Sequence, residues 1–433
     1  MRINLKVFTV ILISGIAING ISQEFDWSPQ TSGTNQYLND IYFTDQLNGW
    51  AVGTNGAVVA TTDGGANWSL QTSGTGEELR SVFFLNPEIG WIAGGTDGPV
   101  MLMTEDGGAT WSPTTIDLPG ASYFKAVQFA DPMTGFAIDT SDIYESIDGG
   151  LTWEKGRYSS LIIDVIQIEG LYVLPDNSAF ACGYYRNKSN DSLSGIFENL
   201  TLPNGQWLPQ DIGEAGVEER LVAIHFTGAP KGFTGSSTGR IYSMQEEGGI
   251  FPGSWTLNFD TGKGKVSSIA FSTDTHGMFN VTSENGSEIY QLIYHTTDSG
   301  VSWSSIPDTI AELHMASLAT PDVNHAWIAG NNGIIYKGAR QDPVSATTRD
   351  MLEFSIHPNP FSSWIEIESP GTLRNATYEI FDYTGKSIRS GRLGDAEKSH
   401  TLSGLETLDH GIYFLRVRSP EGGLVATRKM IKY

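Results

Sequence analysis

Residues 61–75 read TTDGGANWSLQTSGT, and near-copies return at 103–115 (MTEDGGATWSPTT), 145–156 (ESIDGGLTWEKG) and 295–306 (HTTDSGVSWSSI). Each copy places an acid five residues ahead of a tryptophan, with glycine between them. A short acid in such a stretch can accept hydrogen bonds from the amides of its own turn, and glycine tolerates positive φ. The indole that follows covers the hairpin with a large apolar ring. The stretch is therefore read as a β-hairpin turn written four times. Tryptophans that follow this turn, or decayed versions of it, stand at 27, 68, 111, 153, 207, 255 and 303, at spacings of 41, 43, 42, 54, 48 and 48. A period of 40 to 50 residues with several short strands per unit predicts propeller blades.

Strands follow from the residues of one unit. LRSVFFL is an inner strand, NPEIG a turn, WIAGG a second strand, PVMLMT a third, EDGGA a hairpin turn and TWSPTT the outer strand. β-branched and aromatic residues suit these positions. The hairpin resembles the Asp-box, the bacterial neuraminidase repeat, in four copies: Thr61/Asp63/Gly65/Trp68, Thr104/Asp106/Gly108/Trp111, Ser146/Asp148/Gly150/Trp153 and Thr296/Asp298/Gly300/Trp303. In that pattern the acids are turn staples and not catalysts. Two units, ENLTLPNGQW and QEEGGIFPGSW, keep only the Gly and the Trp. From Phe25 to Arg340 the chain resembles the photosystem II stability and assembly factor propellers, carried by NGWAVGTNGAVVATTDGGANW and IGWIAGG…MTEDGGATW. The resemblance implies seven blades. The last unit, HAWIAGNNGIIYKGA, stops after three strands, so the segment around Trp27 is expected to complete that blade and close the ring. The fold expected is all-β, a seven-bladed propeller over residues 23–340.

The ends have other characters. Residues 1–22 open with Arg2 and Lys6, continue as an apolar run from Val7 to Ile18 and reach the small residues Gly20 and Ser22. This is the layout of a secretory signal peptide, cleaved after Ser22. No later segment is apolar enough to span a membrane, so no transmembrane segment is expected in the mature chain. The single cysteine, Cys182, leaves no internal disulfide and reads as a small buried hydrophobe. Residues 23–340 hold 13 Lys and Arg against 37 Asp and Glu, a net of 13 − 37 = −24, whereas residues 351–433 hold 10 of each. The acidic segment argues against nucleic acid as a partner.

Beyond a polar linker, residues 341–350, the segment 351–433 reads as a small immunoglobulin-like β-sandwich. GIYFLRVRS alternates Tyr413, Leu415 and Val417 against Phe414, Arg416 and Arg418, and a hairpin is expected around Thr384 and Gly385. The segment resembles the type A C-terminal sorting domain of the type IX secretion system. The residues that carry this are His357-Pro358-Asn359-Pro360-Phe361, then YEIFDYTGK, then Leu408, Gly411 and Tyr413, with RKMIKY at the end. The resemblance implies a Bacteroidetes-type bacterium, interaction with the type IX machinery, export through the periplasm and across the outer membrane, and removal of the domain afterwards.

Chemistry is scarcely written in the sequence. A sialidase needs clustered arginines, and the propeller holds only Arg80, Arg157, Arg186, Arg220, Arg240 and Arg340. A glycoside hydrolase using two carboxylates is the enzymatic alternative. No HExxH, CxxC or acidic calcium loop is present, so no metal and no cofactor are expected. The expected function is a non-catalytic protein- or glycan-binding module at the cell surface, with a structural surface component as a further alternative. In the assembly factors that the propeller resembles, a basic patch on one face receives a protein partner. The comparable loops here carry Arg80, Lys125 and Arg220, interleaved with Glu77, Glu78, Glu218 and Glu219. Together with Tyr184, Tyr185 and Arg186, these form the expected ligand-binding set, on the rim opposite the Asp-boxes.

Overall fold

The computed structural model describes residues 25–340 apart from 115, 159–161, 188, 190, 200–205, 213–218, 229–230, 248–249, 286–287 and 307–313. It also describes 354–432 apart from 369–375, 383–386, 394–398 and 419–423. The proposed signal peptide, the linker, the turn at Thr384-Gly385 and most of the loop before Arg220 lie outside the described residues. The chain divides into two compact units, Met1–Pro343 and Val344–Tyr433.

The first unit contains seven sheets, whose innermost strands lie against one another in sequence order and then back to the first. Blade one consists of Leu38–Phe43, Gly49–Gly53, Ala57–Thr61 and Ser69–Thr72, paired antiparallel in that order. Blade two repeats it with Leu79–Phe84, Gly90–Gly94, Val100–Thr104 and Ser112–Pro113. Blade three spans Ala126 to Lys155, blade four Ile162 to Asp211, blade five Leu221 to Asp260 and blade six Lys265 to Ser305. In blade four the two-residue strand Arg157–Tyr158 adds a fifth, parallel edge. Blade seven takes three strands from the end of the unit, Met315–Ala319, His325–Gly330 and Ile334–Arg340. Its outer strand is the first described strand: Phe25–Thr31 pairs antiparallel with Ile334–Arg340, from Phe25↔Arg340 to Thr31↔Ile334.

Two repeated devices weld the blades. The first is aromatic. An aromatic residue of the second strand stacks on the last Phe of the next blade's inner strand. The pairs are Trp327 on Phe43 (3.9 Å between centroids), Trp50 on Phe84 (3.6 Å), Trp91 on Phe129 (3.7 Å) and Phe180 on Phe226 (4.0 Å). The outer-strand Trp then meets the same Phe edge-on, as Trp68 does Phe43 and Trp111 does Phe84. Rings of this size hide roughly 150–250 Å² each, so these stacks form the body of the core. They also require glycine at the start of the second strand, since a Cβ on Gly49 would come within 2.4 Å of the Phe43 ring.

The second device lines the inner ring. Register shifts near the start of the inner strands of blades one, two, six and seven re-aim Asp40, Ser81, Ser268 and Ser317 toward a neighbouring blade. Asp40 accepts from the Val82 amide (2.9 Å) and the Ser317 hydroxyl (2.7 Å), Ser81 from the Val127 amide (3.3 Å) and Ser268 from the Leu318 amide (3.3 Å). Gln128 and His225 make the same bond to Val173 and Phe271 (2.9 and 3.3 Å). Burial pushes His225 down to about 3, which keeps its ring neutral and its Nε2 able to accept.

The second unit packs a three-stranded sheet (Ser355–His357, Trp364–Glu368, Ser399–Ser403) and a four-stranded one (Ser387–Arg392, Thr377–Asp382, Gly411–Arg418, Leu424–Lys432). Both sheets contribute to one core that includes Ile365, Ile367, Ile380, Tyr413, Leu415 and Val417. The alternation in GIYFLRVRS therefore sets Tyr413, Leu415 and Val417 inward.

Candidate functional site

The repeated acids sit in a closed hydrogen-bond network. Asp63 accepts from the Thr61 hydroxyl (2.9 Å), the Asn67 amide N–H (2.9 Å) and the Asn67 side chain (2.8 Å), while Thr61 Oγ1 accepts from Gly65 N–H (2.8 Å). Asp106, Asp148 and Asp298 make the same bonds to Thr110, Thr152 and Ser302. The side-chain bond from Asn67, then its amide, hold Asp63 below the usual carboxylate range, and Thr110 does so for Asp106. At Asp148 burial opposes this, and the bonds from Thr152 and Ser146 outweigh it.

The tryptophans then join the boxes to their neighbours. Trp68 donates to Gln30 Oε1 (3.1 Å) and Trp111 to Gln71 Oε1 (3.1 Å). Trp255 donates to Gln210 (3.2 Å) and Trp303 to Asn258 (2.9 Å). Each acceptor stands three residues after the tryptophan of the preceding blade. Gln71 and Asn258 return the bond by donating to the box carbonyls of Gly107 (3.2 Å) and Gly300 (3.0 Å). Sequence reading missed this Trp-x-x-Gln/Asn phrase, although it is printed four times. Where the phrase fails, the indole goes elsewhere. Trp153 bonds Gly150 O in its own turn, and Trp207, with Gly156 at the preceding position, donates to the buried Glu145 (3.0 Å). Trp27 would look to Ile306, and its Nε1 is buried without a partner among the described residues.

Because strands alternate in direction, the Asp-box turns and the turns between first and second strands share one rim. The expected ligand residues lie toward the other, on an arc of blades two to five. Arg80 lies 3.9 Å from the Tyr123 ring centroid and pairs with Glu78 (2.5 Å). Lys125 pairs with Glu169 (2.5 Å) and donates to Ile168 O (2.8 Å). Tyr184 and Arg186 are half-buried and Arg220 is exposed. Tyr185 departs from expectation: it is turned into the core, edge-on to Phe197. Glu219, beside Arg220, is also buried and is held by Tyr242 (2.6 Å), Arg240 (3.2 Å) and the Thr238 hydroxyl. Two of the basic residues of this arc, Arg80 and Lys125, are thus matched by their own acids.

Two further acids are buried between blades, Glu145 between three and four and Glu198 on the face of its strand that packs against blade five. Glu145 accepts from Asn199 (3.0 Å) as well as Trp207. Burial raises Glu198 to about 7 against the opposing bond from Gln210. Cys182 is buried, and its thiol is pushed up to about 12 by burial first and Glu169 second. Among the described residues no group of three His, Cys, Asp or Glu side chains is placed to hold a metal ion, and no helix is long and apolar enough to cross a membrane.

In the second unit the motif residues clasp the final strand. Asn359 Oδ1 accepts from Ile431 N–H (2.8 Å) and Phe361 N–H donates to Ile431 O (2.8 Å). Phe361 is buried in the core, and Lys432 lies over its ring while donating to Ser362 O. The His357-Pro358 and Asn359-Pro360 bonds are cis.

Comparison with known proteins matches residues 20–155 to the family described as Photosynthesis system II assembly factor YCF48, and residues 355–433 to the Secretion system C-terminal sorting domain. This is an assembly-factor-like propeller with a sorting domain behind it. Among solved structures, YCF48 bound to D1 peptide superposes with a TM-score of 0.56 at 21% identity, over 73% of this chain and 97% of that one. YCF48 from Cyanidioschyzon merolae gives 0.54 at 20%, over 72% and 98%. The WD40 propeller domain of Doa1 gives 0.51 at 12%, over 74% and 100%. At these identities the likeness is one of fold. No curated protein matches the chain in sequence. The sorting domain makes the chain a secreted or surface-associated protein of the type IX pathway.

Proposed function

We propose that the propeller is a non-catalytic binding module for a protein or glycan at the cell surface. The observation that carries this reading is the commitment of the repeated acids. Each Asp-box carboxylate takes three hydrogen bonds inside its own turn, so the acids that most suggest hydrolysis serve the scaffold. What remains is a rigid ring presenting loops, the usual setting for recognition. YCF48, of the same fold, has been solved with a peptide, which lends support to a peptide-bearing partner. The ligand face is placed on the rim opposite the boxes, around Arg80, Lys125, Tyr184, Arg186 and Arg220. The boundaries 23–340, 341–350 and 351–433 are part of the same proposal.

The test uses the secreted chain, immobilised and screened against glycans and surface extracts. For any ligand found, Arg80→Glu and Arg220→Glu should weaken binding by about tenfold or more, and Asp63→Asn should leave it intact. Binding that survives both reversals and is lost in a folded Asp63→Asn variant places the site on the other rim. Release of sugar from a glycan substrate by the purified chain overturns the non-catalytic reading.

A further inference from the structure

Blade seven lacks the hairpin that joins third and outer strands elsewhere, because its outer strand comes from the start of the unit. Its third strand ends at Arg340, next to Phe25, where other blades continue into a turn. On the Asp-box rim this leaves a crevice between blades six and seven that is open to solvent and has an interior of about 10 Å³, room for one water-sized group such as a single carboxylate oxygen. His276, His295, Thr320, Asp322 and Arg340 line it, with Phe25, Met278 and Val323 as apolar wall.

Among the described residues, three polar atoms in this one place are buried without a hydrogen-bond partner: Nδ1 of His295, Oγ1 of Thr320 and Nε of Arg340. Leaving a buried polar atom without a partner is costly, so three lining a single crevice mark missing partners and not random defects. The charge is unbalanced as well. Asp322 is the acid among the lining residues, and it is taken by its own loop, through the amides of Asn324 (2.7 Å) and His325 (2.9 Å) and the His325 ring (2.9 Å). Among the described residues no carboxylate stands within ion-pair distance of Arg340. Burial, then the Arg340 charge, hold His276 and His295 below the ordinary imidazole range. The Arg340 guanidinium lies over the Phe25 ring, 5.3 Å from its centroid, and with no carboxylate beside it among the described residues it is a site for an anion.

We propose that this crevice binds one carboxylate group of a ligand, with Arg340 supplying its forked donors and His295 and Thr320 the remaining bonds. A carboxylate is favoured over a phosphate for two reasons. The donor set is small and planar at its centre, and the apolar wall suits the carbon that bears a carboxylate. The site is on the opposite rim from the ligand face proposed above and does not rest on it.

The experiment follows the histidine ring protons of the full secreted chain by NMR during titration with acetate, against chloride at equal ionic strength. His276→Gln and His295→Gln supply the assignments. The charged or titratable groups on the surrounding elements include Asp26, Asp274, His276, Tyr294, His295, Asp298, Asp322, His325, Tyr336, Lys337 and Arg340. Acetate should shift His276 and His295 saturably and raise the pH at which both titrate, since a nearby anion stabilises imidazolium. Arg340→Gln should weaken acetate by about tenfold or more, and Thr320→Val by a smaller factor. The proposal is overturned if chloride shifts the rings as far, if phosphate binds and acetate does not, or if folded Arg340→Gln keeps full affinity. Should Arg340→Gln fail to fold, unchanged acetate affinity in Thr320→Val overturns it.

Discussion

Blades one, two, three and six hold their outer strands by a box, whereas blades four and five have none. The boxed outer strands are short: Ser69–Thr72, Ser112–Pro113, Glu154–Lys155 and Ser304–Ser305. The unboxed ones are longer, Gln206–Asp211 and Ile250–Asp260, and the latter pairs along nearly the whole of Arg240–Glu247. One fold thus solves the same problem in two ways. A side-chain staple with an indole cover fixes a strand that scarcely pairs, and a long backbone ladder fixes a strand that has lost its staple. The assembly-factor match, residues 20–155, covers the first three boxed blades and stops where the first unboxed blade begins.

The largest effect should come from removing the cover. Trp111→Ala and Trp255→Ala are each expected to cost about 3–5 kcal/mol in chemical denaturation. Their local consequences should differ. Hydrogen exchange of the Ser112 and Thr114 amides should rise sharply in the first variant, while Ile250–Asp260 should stay largely protected in the second. Equal loss of protection in both would remove the distinction between staple and ladder.

Acidity sharpens the comparison, because the box acids and Glu198 of unboxed blade four answer pH in opposite senses. The box acids have folded pKa values below their unfolded ones, so their contribution is present above the unfolded carboxylate range and is lost as pH falls. Glu198, in unboxed blade four, is raised to about 7 from an ordinary 4.5. Its contribution is therefore full below the ordinary value and lost as pH rises through 7. Glu198→Gln should stabilise the chain by up to about 3 kcal/mol near pH 8 and by almost nothing near pH 4. A stabilisation that does not change between those two pH values would contradict the assignment.

The smallest change tests the bond between neighbouring boxes. Gln71→Leu leaves Trp111 Nε1 without its acceptor and Gly107 O without one donor. A loss of about 1–3 kcal/mol is expected from thermal or urea melts. The same loss in a Trp111→Phe background would show that the amide acts in some other way.

Much of this was legible because the propeller repeats itself. Four acids at the same distance from four tryptophans determined the hairpins, and the truncated last unit pointed to Phe25–Thr31 as its missing strand. The motif from His357 to Phe361 likewise marked the tail. What escaped needed registration across blades. Gln71 serves the tryptophan of the following blade, so no inspection of one unit exposes its partner. Tyr185 was read as a surface anchor because loop and strand were not separated there. The strand Ala179–Asn187 runs on through Arg186, past register shifts in its inner pairing, and carries Tyr185 inward. The Arg340 crevice depends on two segments about three hundred residues apart meeting at one rim.

That meeting sets a timetable for the chain. The first strand can find its place only beside Ile334–Arg340, with Ser28 bonding a carbonyl 309 positions away. Closing so long a loop is slow compared with making a hairpin, and every blade between can form first. Until the last blade is made, the growing arc keeps a raw edge at one end and a loose strand at the other. For an exported chain, the interval between entering the periplasm and fastening that clasp is when a chaperone or a protease has its opportunity.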